Sequence, residues 1–223
     1  MIKENDLIGS LHKVNPYDNF DGAGFKLDIQ GWGSDRPIFR KLIDKVYPSL
    51  IIEIGTWKGG SAINMGKFIK EKKLNCKILC IDTWLGSLEH WKAKDSEKHY
   101  KWYASLNLKN GYPQLYHQFL YNVIHSNLQD IIIPFPNTSA MACKWLKWKK
   151  IEADLIYVDG SHEEAEVYAD ITGYYNILRK KGVLFGDDFN DYWPGLQNAV
   201  RRFVKENKLN LKLEKDNWII NKK

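Results

Sequence analysis

The sequence predicts an α/β fold, a doubly wound, mostly parallel sheet closed by a C-terminal antiparallel hairpin. Three observations carry that reading. Short runs rich in Ile, Val and Leu recur at 50–54, 77–82, 131–135, 155–159 and 183–186, each bounded by polar residues or glycine. Segments with helical periodicity lie between them. Near the end the alternation breaks: 209–213 alternates like a strand, 215–217 reads as a turn and 218–220 as a second strand.

Taken in order, residues 1–36 hold Gly22, Gly24, Gly31 and Gly33 with Trp32, and read as an irregular N-terminal arm. Residues 37–223 read as one domain. Its first strand runs directly into Glu53-Ile54-Gly55-Thr56-Trp57-Lys58-Gly59-Gly60-Ser61. Two glycines at a strand-to-helix turn let the chain bend tightly and let a ligand approach the backbone. The helix start, with Ser61 as candidate cap, offers N–H donors to that ligand. Glu53 would repel a phosphate, so the turn favours a nucleoside ligand carrying a positive group.

Ala62, Met65, Gly66 and Ile69 then form one helical face. Residues 85–130 are too long for a simple connection and are loaded with Trp91, Tyr100, Trp102, Tyr103, Tyr112, Tyr116, His117, Phe119 and Tyr121. Such an insertion suits a lid or binding loop. After the fourth strand Tyr168, Ile171, Tyr175 and Leu178 share a face. After the fifth, Leu196, Ala199, Val200, Phe203 and Val204 make an apolar stripe opened by Pro194. These stripes are core.

Composition narrows the function. At 223 residues the chain can bury one large α/β core. No apolar run approaches the ~18 residues of a membrane span. The start, Met1-Ile2-Lys3-Glu4-Asn5-Asp6, lacks the apolar stretch of a signal peptide, and a cytoplasmic protein is expected. Cys76, Cys80 and Cys143 cannot all pair and show no C-x-x-C spacing, which fits buried, reduced thiols. The net charge of +6 invites a nucleic-acid partner, but only five of the 33 basic residues are arginine, the usual reader of phosphates and guanine edges. Solvated helix faces explain most of the lysines.

Four segments in this order resemble the class I S-adenosylmethionine-dependent methyltransferases: Glu53-x-Gly55-x-x-x-Gly59-x-Ser61, Ile81-Asp82-Thr83-Trp84, the run from Leu155 through Asp159-Gly160-Ser161-His162, and Gly182 through Gly186-Asp187-Asp188. The last two are similar to the metal-dependent O-methyltransferase branch, which holds catechol-type and macrolide or aminocoumarin sugar enzymes. The resemblance implies a Rossmann-like sheet of seven strands with S-adenosylmethionine as cofactor. It implies that Asp82 accepts from the ribose hydroxyls, that Trp84 lies against the adenine and that Thr138-Ser139 meets the adenine edge. Glu53, Gly55, Thr56, Trp57, Gly59 and Ser61 would bound the methionine part, with Asp159 beside them.

Asp159, Asp187 and Asp188 stand at the ends of adjacent predicted strands. Three converging carboxylates repel one another unless a cation or protons intervene, and hard oxygen ligands suit Mg²⁺. His162 stands where relatives carry a catalytic lysine and is the expected base, with Asp159 as the other catalytic candidate. An Asp-Gly-Ser step in place of Pro-Pro-aromatic argues against methylation of a nucleic-acid base. The reading is Mg-assisted methyl transfer to a hydroxyl of a glycan or small glycoside. A non-catalytic or hydroxylase-associated member of the fold and an RNA-modifying enzyme stay open as alternatives. The insertion's aromatics also suit contact between two copies of the chain, so a homo-oligomer stays open too.

Overall fold

The computed structural model describes residues 7–223; the reading made of residues 1–6 lies outside the described residues. One seven-stranded sheet has the order β3-β2-β1-β4-β5-β7-β6. Its strands are β1 (Leu50–Ile54), β2 (Lys77–Asp82), β3 (Ile132–Pro136), β4 (Ala153–Val158), β5 (Leu178–Gly186), β6 (Leu211–Glu214) and β7 (Asn217–Asn221). The first five pair in parallel, β7 runs antiparallel to β5, and β6 antiparallel to β7. The expected fold class is what the chain adopts.

Every residue of β1 is buried, as a central parallel strand covered on both faces requires. Ile52 and Ile54 point into the core layer shared with α7 (Ser139–Lys149), α8 (Glu164–Asn176) and α9 (Pro194–Glu206). Ile51 points the other way, into the layer built with α2 (Ile38–Val46), α3 (Gly60–Glu71) and α6 (Leu115–His125). Successive side chains of a strand alternate faces, so one apolar run feeds both cores.

Most strand limits shift by one or two residues, and three differences from the sequence reading are larger or structural. β5 starts at Leu178 rather than 183, because residues before Gly182 still pair with β4 through a register shift between Ala153 and Leu155. The hairpin turn is Lys215–Asp216, with Lys215 at φ 55°, and Asn217 already belongs to β7. The N-terminal arm opens with a short helix, α1 (Leu7–Leu11), whose Leu7 is buried against the α7–α8 layer.

Beyond α1 the arm is irregular but anchored along its whole course. His12 Nε2 lies 2.7 Å from the Pro134 carbonyl and Tyr17 Oη donates to the Ile132 carbonyl at 2.9 Å. Asn122 accepts from Asp28 N–H and donates to the Asp28 carbonyl. Lys58, 4% exposed, forms an ion pair with Asp28 at 2.6 Å and donates to Gln30. The arm therefore travels from the β3 edge of the sheet to the carboxyl ends of its central strands.

The sheet order reverses between β1 and β4, the place where open α/β sheets bind ligands. There the two loops touch. Asp159 N–H donates to the Ile54 carbonyl at 2.8 Å, and a Cβ on Gly55 (φ 81°) would lie 2.1 Å from the Asp159 carbonyl oxygen. Gly55→Ala is expected to cost more than about 3 kcal/mol, since both backbone strain and a backbone overlap must be relieved. Urea unfolding checks this, and a loss below about 1 kcal/mol would contradict the close approach.

Candidate active site

The glycine turn is held from below by two carboxylates. Glu53, fully buried, accepts from Ser61 Oγ and from Thr56 Oγ1 at 3.3 Å. Burial pushes its pKa up to about 7, against the opposing pull of the Ser61, Cys80 and Thr56 hydrogen bonds. Asp82 Oδ2 accepts from Thr56 N–H at 2.9 Å and Trp57 N–H at 2.8 Å, and its Oδ1 accepts from Trp84 N–H at 2.7 Å. Burial also raises Asp82, while those N–H bonds oppose it.

These contacts revise several expectations. Ser61 is not the helix cap: Gly59 is, and Ser61 sits inside the first turn of α3 on Glu53. Asp82, expected to accept from a ribose, already accepts from three backbone N–H groups of the turn. Trp84, expected against the adenine, is turned into the core. At φ 53° its backbone turns the indole inward, where it is 1% exposed, packs 4.9 Å from both Tyr116 and Phe119, and donates to the Trp57 carbonyl. Thr138 caps α7 by accepting from Met141 N–H, and the Ser139 carbonyl accepts from Tyr174 Oη.

Trp57, half-buried, follows the first glycine of the turn. His90, on α4 (Leu88–Lys92), stacks on it at 4.3 Å, and Trp32 of the arm approaches both rings at 6.3 Å. Trp57 Nε1 is buried with no acceptor among the described residues. An orphaned donor beside a glycine turn and a helix start fits a ligand that brings oxygen or nitrogen acceptors. Most insertion aromatics lie elsewhere: Phe119 is core, while Tyr100 and Tyr112 are solvent-exposed.

At the β4 and β5 ends each acid has a partner of its own. Asp159 Oδ2 accepts from Tyr157 Oη at 2.9 Å; burial, then the Asp188 and Asp187 charges, raise its pKa well above the usual range. Asp187, 4% exposed, is paired with the Arg36 guanidinium and accepts from Asn217 Nδ2 at 3.3 Å. Burial holds Asp187 at about 6 even with Arg36 beside it. Asp188, at φ 62°, lies 3.0 Å from His162 Nε2. The imidazole stacks on Trp193 at 3.7 Å and 9°, with Glu89 Oε1 3.8 Å from its Nδ1. Burial alone would raise Glu89, but hydrogen bonds from Ser87 and its own backbone, with both histidines nearby, leave it below the usual range.

The structure thus gathers Asp159, Asp187, Asp188 and His162 at one edge, but the expected metal trio is not formed. Among the described residues no group of three or more His, Cys, Asp or Glu side chains is arranged to hold a metal. Asp187 is committed to Arg36 and Asp188 to His162, so the residues as they stand do not fit Mg²⁺. Sequence reasoning missed Arg36, Glu89, Trp193 and the His90–Trp57 stack. Only Arg36 carried a hint, as one of few arginines in a glycine-rich arm.

Residues 52–189, more than half of the chain, match the family described as a methyltransferase domain. The chain belongs to that methyltransferase family. A comparison with curated protein sequences gives no match. Solved structures similar to this methyltransferase include CalS11, a calicheamicin methyltransferase (16% identity, TM-score 0.59, covering 82% of this chain and 76% of that one). The O-methyltransferase NovP is similar too (15% identity, TM-score 0.58, 83% and 78% covered). So is an O-methyltransferase from Bacillus cereus in complex with SAH (16% identity, TM-score 0.55, 100% and 93% covered). At these identities the likeness concerns the methyltransferase fold. No helix among the described residues is long and apolar enough to cross a membrane.

The buried Glu53 gives a stability test. Its pKa rises on folding, so near neutral pH the folded state holds a proton that the unfolded chain has released. Its contribution is fully present below the ordinary carboxylate range and falls as pH climbs towards 7, by up to roughly 3 kcal/mol. Glu53→Gln should flatten the decline in unfolding free energy between acid and neutral pH, measured by urea titration. A slope as steep as wild type would contradict the assignment.

Proposed function

We propose that this methyltransferase uses S-adenosylmethionine to methylate a hydroxyl of a sugar, glycan or small glycoside, with His162 as base. The His162 environment is the observation that carries this reading. If Nε2–H donates to Asp188, Nδ1 keeps its lone pair on the side of Glu89, ready to take a hydroxyl proton. Trp193 fixes the ring plane by stacking. S-adenosylmethionine would supply an electrophilic methyl on a positively charged sulfur.

The acceptor oxygen forms the new C–O bond with its lone pair as the C–S bond breaks and leaves its pair on sulfur. The hydroxyl proton passes to His162 Nδ1, and Glu89 and Asp188 stabilise the resulting imidazolium. Alignment of oxygen, carbon and sulfur supplies the rest of the rate. The sugar preference is supported by exposed aromatic faces at the rim: Trp32 is 57% exposed beside the Trp57–His90 stack, and Tyr192 is 74% exposed, edge-on to Trp193. Such faces stack on the apolar sides of pyranose rings. It is also supported by CalS11, described as a TDP-rhamnose 3'-O-methyltransferase. A small-molecule or glycan acceptor fits better than a nucleic acid, and the three buried free thiols support a cytoplasmic setting.

For the cofactor, Trp57 Nε1, the first-turn N–H groups of α3, Asp82 and Ser139 would be its contacts. Asp82→Ala should weaken S-adenosylhomocysteine binding in calorimetry, because the turn loses its brace. Unchanged affinity would remove Asp82 from the cofactor site. His162→Ala should lower kcat for labelled methyl transfer to a panel of free and nucleotide-linked sugars by roughly 10²–10⁴-fold, with S-adenosylhomocysteine affinity preserved. A near-wild-type rate would exclude His162 as base, and transfer to no hydroxyl acceptor would sink the reading itself.

A further inference from the structure

We propose that Arg36 is the resident cation of the carboxylate cluster and occupies the place at Asp187 that a divalent ion would need, so that transfer proceeds without a metal. The inference deepens the hydroxyl-transfer reading and rests on it for its catalytic half.

Arg36 reaches Asp187 from 151 residues away in sequence, and nothing local dictates the pairing. The arm delivers it through a tight turn in which Arg36 N–H donates to the Gly33 carbonyl, with Gly33 at φ 63°. The same turn is tied to α3, where Asn64 Nδ2 donates to the Ser34 carbonyl at 3.1 Å. Both oxygens of Asp187 are consequently covered. Oδ1 faces Arg36 and Asn217, while Oδ2 lies so close to Gly33 that a Cβ there would come within 3.0 Å of it. The guanidinium also stands 3.7 Å from Asp216 Oδ2 in the β6–β7 turn, so one arginine answers two acids on different strand ends.

Mg²⁺ needs open carboxylate oxygens and near-octahedral room for its waters, and it gives those waters up reluctantly. Asp187 offers neither. A guanidinium, by contrast, is always charged and presents several N–H donors in a plane, which suits a buried carboxylate. With Arg36 on Asp187, His162 on Asp188 and Tyr157 on Asp159, each acid is answered by a donor of the chain itself. The hydroxyl proton then leaves to His162, and no metal is required to accept the oxygen's charge.

Mn²⁺ binding separates this inference from the acceptor reading, because it needs no acceptor. The full-length protein is stripped with EDTA and titrated with Mn²⁺, free ion being read by electron paramagnetic resonance. Wild type and Arg36→Lys are expected to bind no stoichiometric Mn²⁺ below about 1 mM. Arg36→Met should gain one site at least about tenfold tighter than wild type, and Asp187→Asn in that background should abolish it. A wild-type site tighter than about 1 mM that Asp187→Asn removes would overturn the proposal without any Arg36 variant. So would an Arg36→Met protein, folded by circular dichroism, that gains nothing. EDTA-treated wild type should keep its full rate on any acceptor found; metal-dependent turnover overturns the catalytic half. If no hydroxyl acceptor is found, the function reading fails while the Mn²⁺ result still stands on its own.

Discussion

The backbone contact between the β1 and β4 loops is the constraint on which the site depends. Gly55 and the Asp159 carbonyl approach so closely that neither loop can shift alone. Such an approach draws polar backbone out of water, and its N–H groups must find acceptors. Asp82 meets that demand, accepting from the Thr56, Trp57 and Trp84 N–H groups, while Glu53 beneath the turn binds the Thr56 and Ser61 hydroxyls. The turn is built around one buried and one half-buried carboxyl group rather than merely decorated with them. Burying them is costly unless hydrogen bonds compensate, and their raised pKa values register that cost.

This changes what the acidic residues at the strand ends mean. A carboxylate at the end of a strand in a nucleoside-binding fold invites assignment to a ligand hydroxyl. Here Asp82 first organises the loop that would meet the ligand. The two roles are compatible only in sequence of importance: without the loop brace there is no ordered turn for a cofactor to meet. Ser61 shows the same economy. Its hydroxyl could have capped α3, yet it reaches down to Glu53 and leaves the helix start to Gly59.

The fold was legible because its signals are local. Apolar runs bounded by turn residues marked the strands, and alternation after residue 208 marked the hairpin. The acids and His162 were legible as positions at strand ends, and the structure does bring them together. What could not be read were partners set by tertiary contact. Trp84 looks like a loop aromatic free to stack on a ligand, but a left-handed backbone angle buries it under α6. His90 lies in an insertion whose length hides that α4 folds back onto Trp57. Arg36 and Asp187 are joined only once the arm has crossed the sheet. Periodicity reports which face a residue takes, not which distant charge it meets.

Two of the arm's ion pairs share one design. In each, one partner is nearly inaccessible and the other more open: Lys58 with Asp28, and Asp187 with Arg36. Loss of the accessible partner leaves a buried charge uncompensated, which costs far more than an exposed pair contributes. The buried members belong to the glycine turn and to the β5 end, the two sides of the candidate site. An arm without regular structure beyond α1 is therefore fastened by charges that the site itself would otherwise leave unanswered.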